Sequence, residues 1–294
     1  MRRSVCEDHS CAESTNYVVP AAEWMRERDA HRARILAVID FLFTYYAHRP
    51  GQLLRWHPGF GIVLAGADEY ATYRGFAHCG HGITADPAFL DRRRDTIEHI
   101  AGLLQATAGR PAQLSCFGLH EWAMVYRSGD VRHSRVPLRL GRDGTEEVVE
   151  ALALRCTHYD AYRSTQLDRE QPGCLHAAMD LYKFCSKMEP LIESGLIASC
   201  FELAHRAREL DMRASPYDLS EFGYSPIRIE TPPGRAEYVR MQTVIAGNAA
   251  ELRAGLLRRC QALLNRRAGA AGRQLRVGGI PAGKLSSLPT REER

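Results

Sequence analysis

Along the 294-residue chain, apolar residues recur mostly at three- and four-residue spacing, and only short stretches alternate. In AAEWMRERDAHRARILAVIDFLFTYYAHRP, the residues Ile35, Val38, Ile39, Leu42 and Phe43 line one face. This predicts a helix that Pro50 and Gly51 close. Asp86-Pro87 starts a second helix, AFLDRRRDTIEHIAGLLQATAG, ended by Gly109 and Pro111. TEEVVEAL reads as a short helix with Thr145 as N-cap. Gln171-Pro172-Gly173 opens a helix-rich stretch to about Leu210, and GRAEYVRMQTVIAGNAAELRAGLLRRCQALLNRR forms one long amphipathic helix. The extended pieces are brief: Ile62 to Leu64, QLSCFGLHEWAMVY, VPLRLG, ALRCTHYDAYR and SPIRIE. The pattern predicts a predominantly helical α+β fold with a few short strands. It divides into a flexible leader over 1–20, a single compact domain over 21–265 and a flexible Arg/Gly-rich basic tail over 266–294.

Composition narrows this only a little. The formal net charge is +4, and of 39 cationic residues all but Lys183, Lys187 and Lys284 are arginines. Arginine grips phosphate through a planar fork, so the surface suits a polyanionic partner. No run approaches the roughly 18 apolar residues that span a bilayer. The first residues, MRRSVCEDHSC, lack the apolar stretch of a secretory signal. Nine scattered cysteines with no regular spacing then predict reduced thiols in a cytoplasmic protein with no membrane partner.

Three segments concentrate groups capable of chemistry. In GLHEW, His120 and Glu121 adjoin Trp122, and a large apolar ring beside a carboxyl raises its pKa. The same segment also fits a plain strand with alternate residues in solvent. CTHYDAYR, with Arg155 just before it, gathers His158, Tyr159, Asp160, Tyr162 and Arg163. On a strand His158, Asp160 and Tyr162 share one face, and burying so many polar groups without purpose is unfavourable. In GCLHAAMDLYK, His176, Asp180 and Lys183 form one polar line on a helix, either a pocket wall or a solvated face with an Asp–Lys pair. Tyr46, Trp56 and Tyr217, with arginines nearby, offer rings on which a planar ligand could stack.

A metal centre is the alternative. Cys79-Gly-His81, Cys156-Thr-His158 and Cys174-Leu-His176 repeat a Cys-x-His spacing, and Cys116 precedes His120 by four residues. Zinc and non-haem iron take such ligands. Against it, there is no CxxC pair and no HExxH, and the expectation is a site without metal or other cofactor. Dinucleotide, P-loop and nucleophile-elbow motifs are absent too.

At CFGLHEWAMVYR, RCTHYDAYR, QPGCLHAAMDLYKF, ELDMRASPYDL and IETPPGRAEYV the sequence resembles bacterial proteins grouped as 3-methyladenine DNA glycosylases. The likeness runs from DFLFTYYAHRPGQLLRWHPG through the GRAEYV helix. It lacks an LPGVG-type hairpin and the GQDPYH and HPSPLS motifs, so residue roles do not carry over from those well-understood glycosylases. The resemblance implies a DNA-acting hydrolase that flips a damaged or modified base into a pocket and cleaves its N-glycosidic bond, leaving an abasic site. Repair, or defence against phage with modified DNA, would use that reaction. Asp160 is then the first candidate for the catalytic carboxylate, Glu121 the second and Asp180 the third, with His120 or His158 assisting the leaving base. Trp122, Tyr159, Arg155, Arg163, His176, Tyr217, Trp56 and Tyr46 would hold substrate. Scarcity of lysine points to a monofunctional enzyme, Lys183 being the one amine near a candidate carboxylate. No protein partner is implied. The competing readings are a zinc- or iron-dependent enzyme and a non-enzymatic nucleic-acid-binding protein.

Overall fold

The computed structural model describes residues 17–19, 25–26, 50–128, 136–152 and 170–266. Within them a four-stranded sheet adjoins a larger helical body. Strand β1 (Tyr17–Val19) runs parallel to β2 (Ile62–Leu64), which pairs antiparallel with β4 (Gly82–Ala85), and β4 pairs antiparallel with β3 (Phe76–Cys79). The helices are α1 (Pro50–Leu53), α2 (Pro87–Ala108), α3 (Leu119–Val125), α4 (Gly141–Ala151), α5 (Leu175–Lys187), α6 (Ser194–Arg213) and α7 (Pro232–Leu264). The fold is α+β and predominantly helical, as the periodicity predicts.

The longest helix follows its sequence signals closely. Thr231 caps α7 by accepting from the Gly234 N–H at 3.2 Å, and prolines occupy the first turn, where a missing N–H leaves no bond unmade. Its buried stripe runs Tyr238, Ile245, Ala249, Leu256, Cys260 and Leu263, a spacing close to two turns per seven residues. That stripe packs against α2, α5 and α6, and α5 lies along α6. The main core lies between them and is built from Leu181, Tyr182, Phe201, Leu203, Ala204 and their neighbours. Helix α2 likewise starts where expected, with Asp86 accepting from the Ala88 N–H at 2.8 Å.

Several local expectations change. QLSCFGLHEWAMVY is not extended throughout: Phe117 and Gly118 both take left-handed backbone, at φ of 51° and 69°, and α3 begins directly after them. Leu119, Trp122 and Val125, three residues apart, then face inward together, a helical rather than a strand spacing. VPLRLG contributes only an isolated bridge between Leu138 and Tyr217, and SPIRIE forms no strand, although Ile227 and Ile229 are fully buried. Thr145 lies inside α4 instead of capping it; its hydroxyl donates back to the Gly141 carbonyl at 2.6 Å. Pro50 opens a short helix where a helix end was expected. The hairpin β3–β4 was not anticipated, because FAHCGHGITA has little β-branched content. Met25 and Arg26 are helical and exposed, while the rest of the stretch predicted as a helix over 21–49 lies outside the described residues. So do most of the leader, the segment 153–169 and the tail from 267.

Among the described residues, no helix is long and apolar enough to cross a membrane. Six described cysteines are not in disulfides: Cys79 and Cys116 are partly exposed and Cys174, Cys185, Cys200 and Cys260 are buried. Burial pushes the Cys185 thiol well up, with the adjacent Cys200 sulfur at 3.7 Å adding to the effect, and pushes Cys260 up to about 12. Iodoacetamide at mildly alkaline pH should therefore modify Cys79 and Cys116 first and leave the four buried thiols intact until denaturant is added. Peptide mapping of the alkylated protein reads this directly.

Candidate active site

Residues far apart in sequence meet where α3, α5 and α6 come together. The left-handed Phe117–Gly118 turn sets the start of α3, placing His120 and Glu121 in its first turn. Gly118 is needed twice there, since a Cβ at its position would also stand 3.3 Å from Asp211 Oδ1. Helix α5 is brought alongside by Gln171, whose Oε1 accepts from the backbone N–H of Gln113 at 2.8 Å and of Gly173 at 2.7 Å. Its Nε2 donates to the Gln113 carbonyl at 3.1 Å. The two chain segments run so close that a side chain at Gly173 would collide with Gln113 backbone. This clamp puts His176, the second residue of α5, beside His120, with ring centroids 4.6 Å apart in an edge-to-face arrangement. The last turns of α6 supply Arg208 and Asp211.

The resulting cluster is buried and densely charged. Glu121, Arg208 and Asp211 are 1%, 2% and 0% exposed, and His176 is half-buried at its edge. Arg208 Nη1 donates to Glu121 Oε1 at 2.7 Å and to Asp211 Oδ2 at 2.9 Å, so one guanidinium nitrogen holds both carboxylates. His120 Nε2 stands 3.3 Å from Asp211 Oδ2 and 3.7 Å from Glu121 Oε1. Burial alone would raise the Asp211 carboxyl. The neighbouring His120, with Arg208 and His176 beyond it, outweighs burial and holds Asp211 well below the usual carboxylate range. Glu121 Oε2 and Asp211 Oδ1 are buried without a hydrogen-bond partner among the described residues. Each is thus an acceptor inside the cluster with capacity to spare. One ligand-capable atom from each of His120, His176 and Asp211 lies within 4.8 Å of the others.

This arrangement joins three of the expected residues, His120, Glu121 and His176, and adds two, Arg208 and Asp211. Both additions had a signal: Phe201, Ala204, Arg208 and Asp211 continue one buried stripe of α6 at three- and four-residue spacing, and charges on such a stripe must be paired. Asp180 lies one turn beyond His176 and pairs with Lys183 Nζ at 3.5 Å, so the polar line of α5 runs from the cluster to the surface. That contact also occupies the one amine considered for a lyase route.

Three other expected residues are engaged in packing. Trp122 is fully buried, with its indole N–H donating to the Ala214 carbonyl at 2.8 Å and Arg139 lying over the ring 5.0 Å from its centroid. Enclosed in this way, it supports the fold and has no face for a substrate ring. Tyr217 is likewise buried, packed with Val125 and Met212. Trp56 packs with the small core beneath the sheet, its carbonyl accepting from Tyr70 at 2.6 Å. Of the Cys-x-His residues, Cys79, His81, Cys116 and Cys174 join no three-ligand group among the described residues, whereas His120 and His176 do. Asp160, His158, Tyr159, Arg155, Arg163 and Tyr46 lie outside the described residues.

Arg139 has a further partner that gives a pH test. Its Nη1 and Nη2 donate to the two Glu230 oxygens at 2.7 and 2.6 Å. Burial would raise Glu230, but this bidentate bond prevails and holds it below its usual range. The pair's contribution is therefore complete above an unfolded carboxyl value of about 4.3 and is lost as pH falls through the lower folded value. The stability difference between wild type and Arg139→Gln should be largest near neutral pH and shrink towards strong acid, as read from urea midpoints. A difference that stays constant into acid contradicts this.

No family model, curated protein or solved structure matches this chain.

Proposed function

We propose that the chain is a monofunctional DNA glycosylase, hydrolysing the N-glycosidic bond of a damaged or modified base at the His120–Glu121–His176–Asp211 cluster. The observation that carries this reading is the convergence of GLHEW, GCLHAAMDLYK and ELDMRASPYDL, three of the segments that resemble 3-methyladenine DNA glycosylases, on one buried charged site. Glu121 Oε2 is suited to take a proton from an attacking water, while Arg208 fixes the other oxygen of the same carboxylate. The water oxygen bonds to the sugar carbon, the carbon–nitrogen bond breaks, and the proton passes on to the departing base. Asp211 and the imidazoles hold that water in place.

A polyanionic substrate is supported by Arg74, Arg92 and Arg93, which gather around Phe89 with guanidinium carbons 5.3 to 5.8 Å from its ring centre. The reading places the reaction in the cytoplasm, where cysteines outside disulfides, such as these six, persist. Repair and defence against modified phage DNA would both use it. Incubating the protein with alkylated and base-modified duplexes and scoring abasic sites tests it. Wild type should generate abasic sites and Glu121→Gln should not. Salt-sensitive DNA binding without base release would instead favour a nucleic-acid-binding protein.

A further inference from the structure

We propose that His120, His176 and Asp211 form a binding site for one divalent transition-metal ion of the zinc or ferrous class. The inference rests on the reading of this cluster as the working site, and names what holds the attacking water there. Two imidazoles and one carboxylate, drawn from three different helices, are the donor set such ions take when part of the coordination sphere is left to water or substrate. Magnesium and calcium prefer oxygen ligands throughout, so the imidazole pair selects against them.

Distance and charge both agree. Donors bonded to one ion at about 2.1 Å stand roughly 3 to 3.5 Å apart, and His120 Nε2 is 3.3 Å from Asp211 Oδ2. All three donors lie within 4.8 Å of one another, so side-chain adjustment of about an ångström brings the set to ligand spacing. With both imidazoles neutral, as metal ligands must be, the Glu121 and Asp211 carboxylates face one guanidinium among the described residues, and a cation offsets the remaining negative charge. Arg208, bonded to the same Asp211 Oδ2, acts as the outer partner that orients the ligating carboxylate. Glu121 belongs outside the ligand set. Its Oε2, unpartnered among the described residues, could accept a proton from water, and a bound ion would supply the acidity that lets water attack near neutral pH.

Metal content separates this from the glycosylase reading, since it needs no substrate. The full chain, stripped with chelator and dialysed, is titrated with Zn²⁺ and then with Co²⁺, whose visible absorption reports its ligands. Wild type should bind one equivalent, and His176→Ala should bind at least about 100-fold more weakly with an unchanged circular dichroism spectrum. His81→Ala, at the exposed β3–β4 turn, should bind like wild type. If the alanine variant does not fold, His176→Gln serves the same comparison. Failure of wild type to bind a stoichiometric ion, or undiminished binding in the folded His176 variant, overturns the proposal. Binding without base release leaves it standing and removes the glycosylase reading alone.

Discussion

Replacing Arg208 with Met should lower the stability of the protein by about 3–5 kcal/mol, more than any other single change in the cluster. One nitrogen of this side chain reaches Glu121 at 2.7 Å and Asp211 at 2.9 Å, and all three residues are buried. Taking away the cation while leaving both carboxylates removes the attraction that offset their desolvation and keeps their mutual repulsion. A hydrophobic stem of similar length fills the space, so the loss reads the charge and not a cavity. In a chain of this size, each kcal/mol moves the melting temperature by roughly 2–4 °C, and the expected fall is on the order of 10 °C. Arg208→Lys should recover part of it, because the charge returns on a shorter stem without the planar guanidinium geometry. A melting temperature unchanged in Arg208→Met would mean that the two carboxylates are not both ionised beside it.

The second large effect concerns activity. Glu121→Gln keeps the shape and the contact to Arg208 through its amide oxygen, but it cannot accept a proton. Asp211→Asn keeps the shape and removes a buried negative charge held ionised by its neighbours. Each should reduce base release by at least about 100-fold, the range that a general base or a fixed electrostatic group commonly supplies. Because Arg208 then faces one carboxylate instead of two, neither variant leaves an uncompensated anion. Their folds should survive, which makes rate and not solubility the informative readout. Lys183→Ala should leave the rate unchanged, since the proposed hydrolysis uses water and forms no Schiff base.

Much of the framework was legible in the sequence, and the reasons are local. Asp86 and Pro87 mark the start of α2 because a carboxylate cap and a proline both fit a helix entrance. The stripe Tyr238 to Leu263 marks α7 because no other period buries those residues together. The start of α3 was less visible: the left-handed Phe117–Gly118 turn that launches it follows extended residues, and a bulky residue at positive φ leaves no compositional trace. The β3–β4 hairpin gains its stability by pairing with β2 and not from its own residues.

The site was half legible for the same kind of reason. His120, Glu121 and His176 stood out because titratable groups were crowded into short segments. Arg208 and Asp211 sit among ordinary helix formers in ELAHRARELDMR, and only their position on the inward stripe of α6 distinguishes them. Trp122 shows the opposite error. A tryptophan beside His-Glu suggests a stacking platform, yet its ring is enclosed by the core and by Arg139, with its N–H taken by Ala214. CTHYDAYR, the segment with the strongest case from sequence alone, lies outside the described residues, and Asp160 with it.

The central claim is that the His120–Glu121–His176–Asp211 cluster hydrolyses an N-glycosidic bond. Mass spectrometry of free bases released from a panel of alkylated and phage-type modified DNAs measures that reaction without assuming which base is removed. Wild-type protein should release at least one modified base with an abasic site left behind, and folded Asp211→Asn should release it at least about 100-fold more slowly. Release at the wild-type rate by folded Asp211→Asn, or no base released from any DNA in the panel by wild type, would contradict the account.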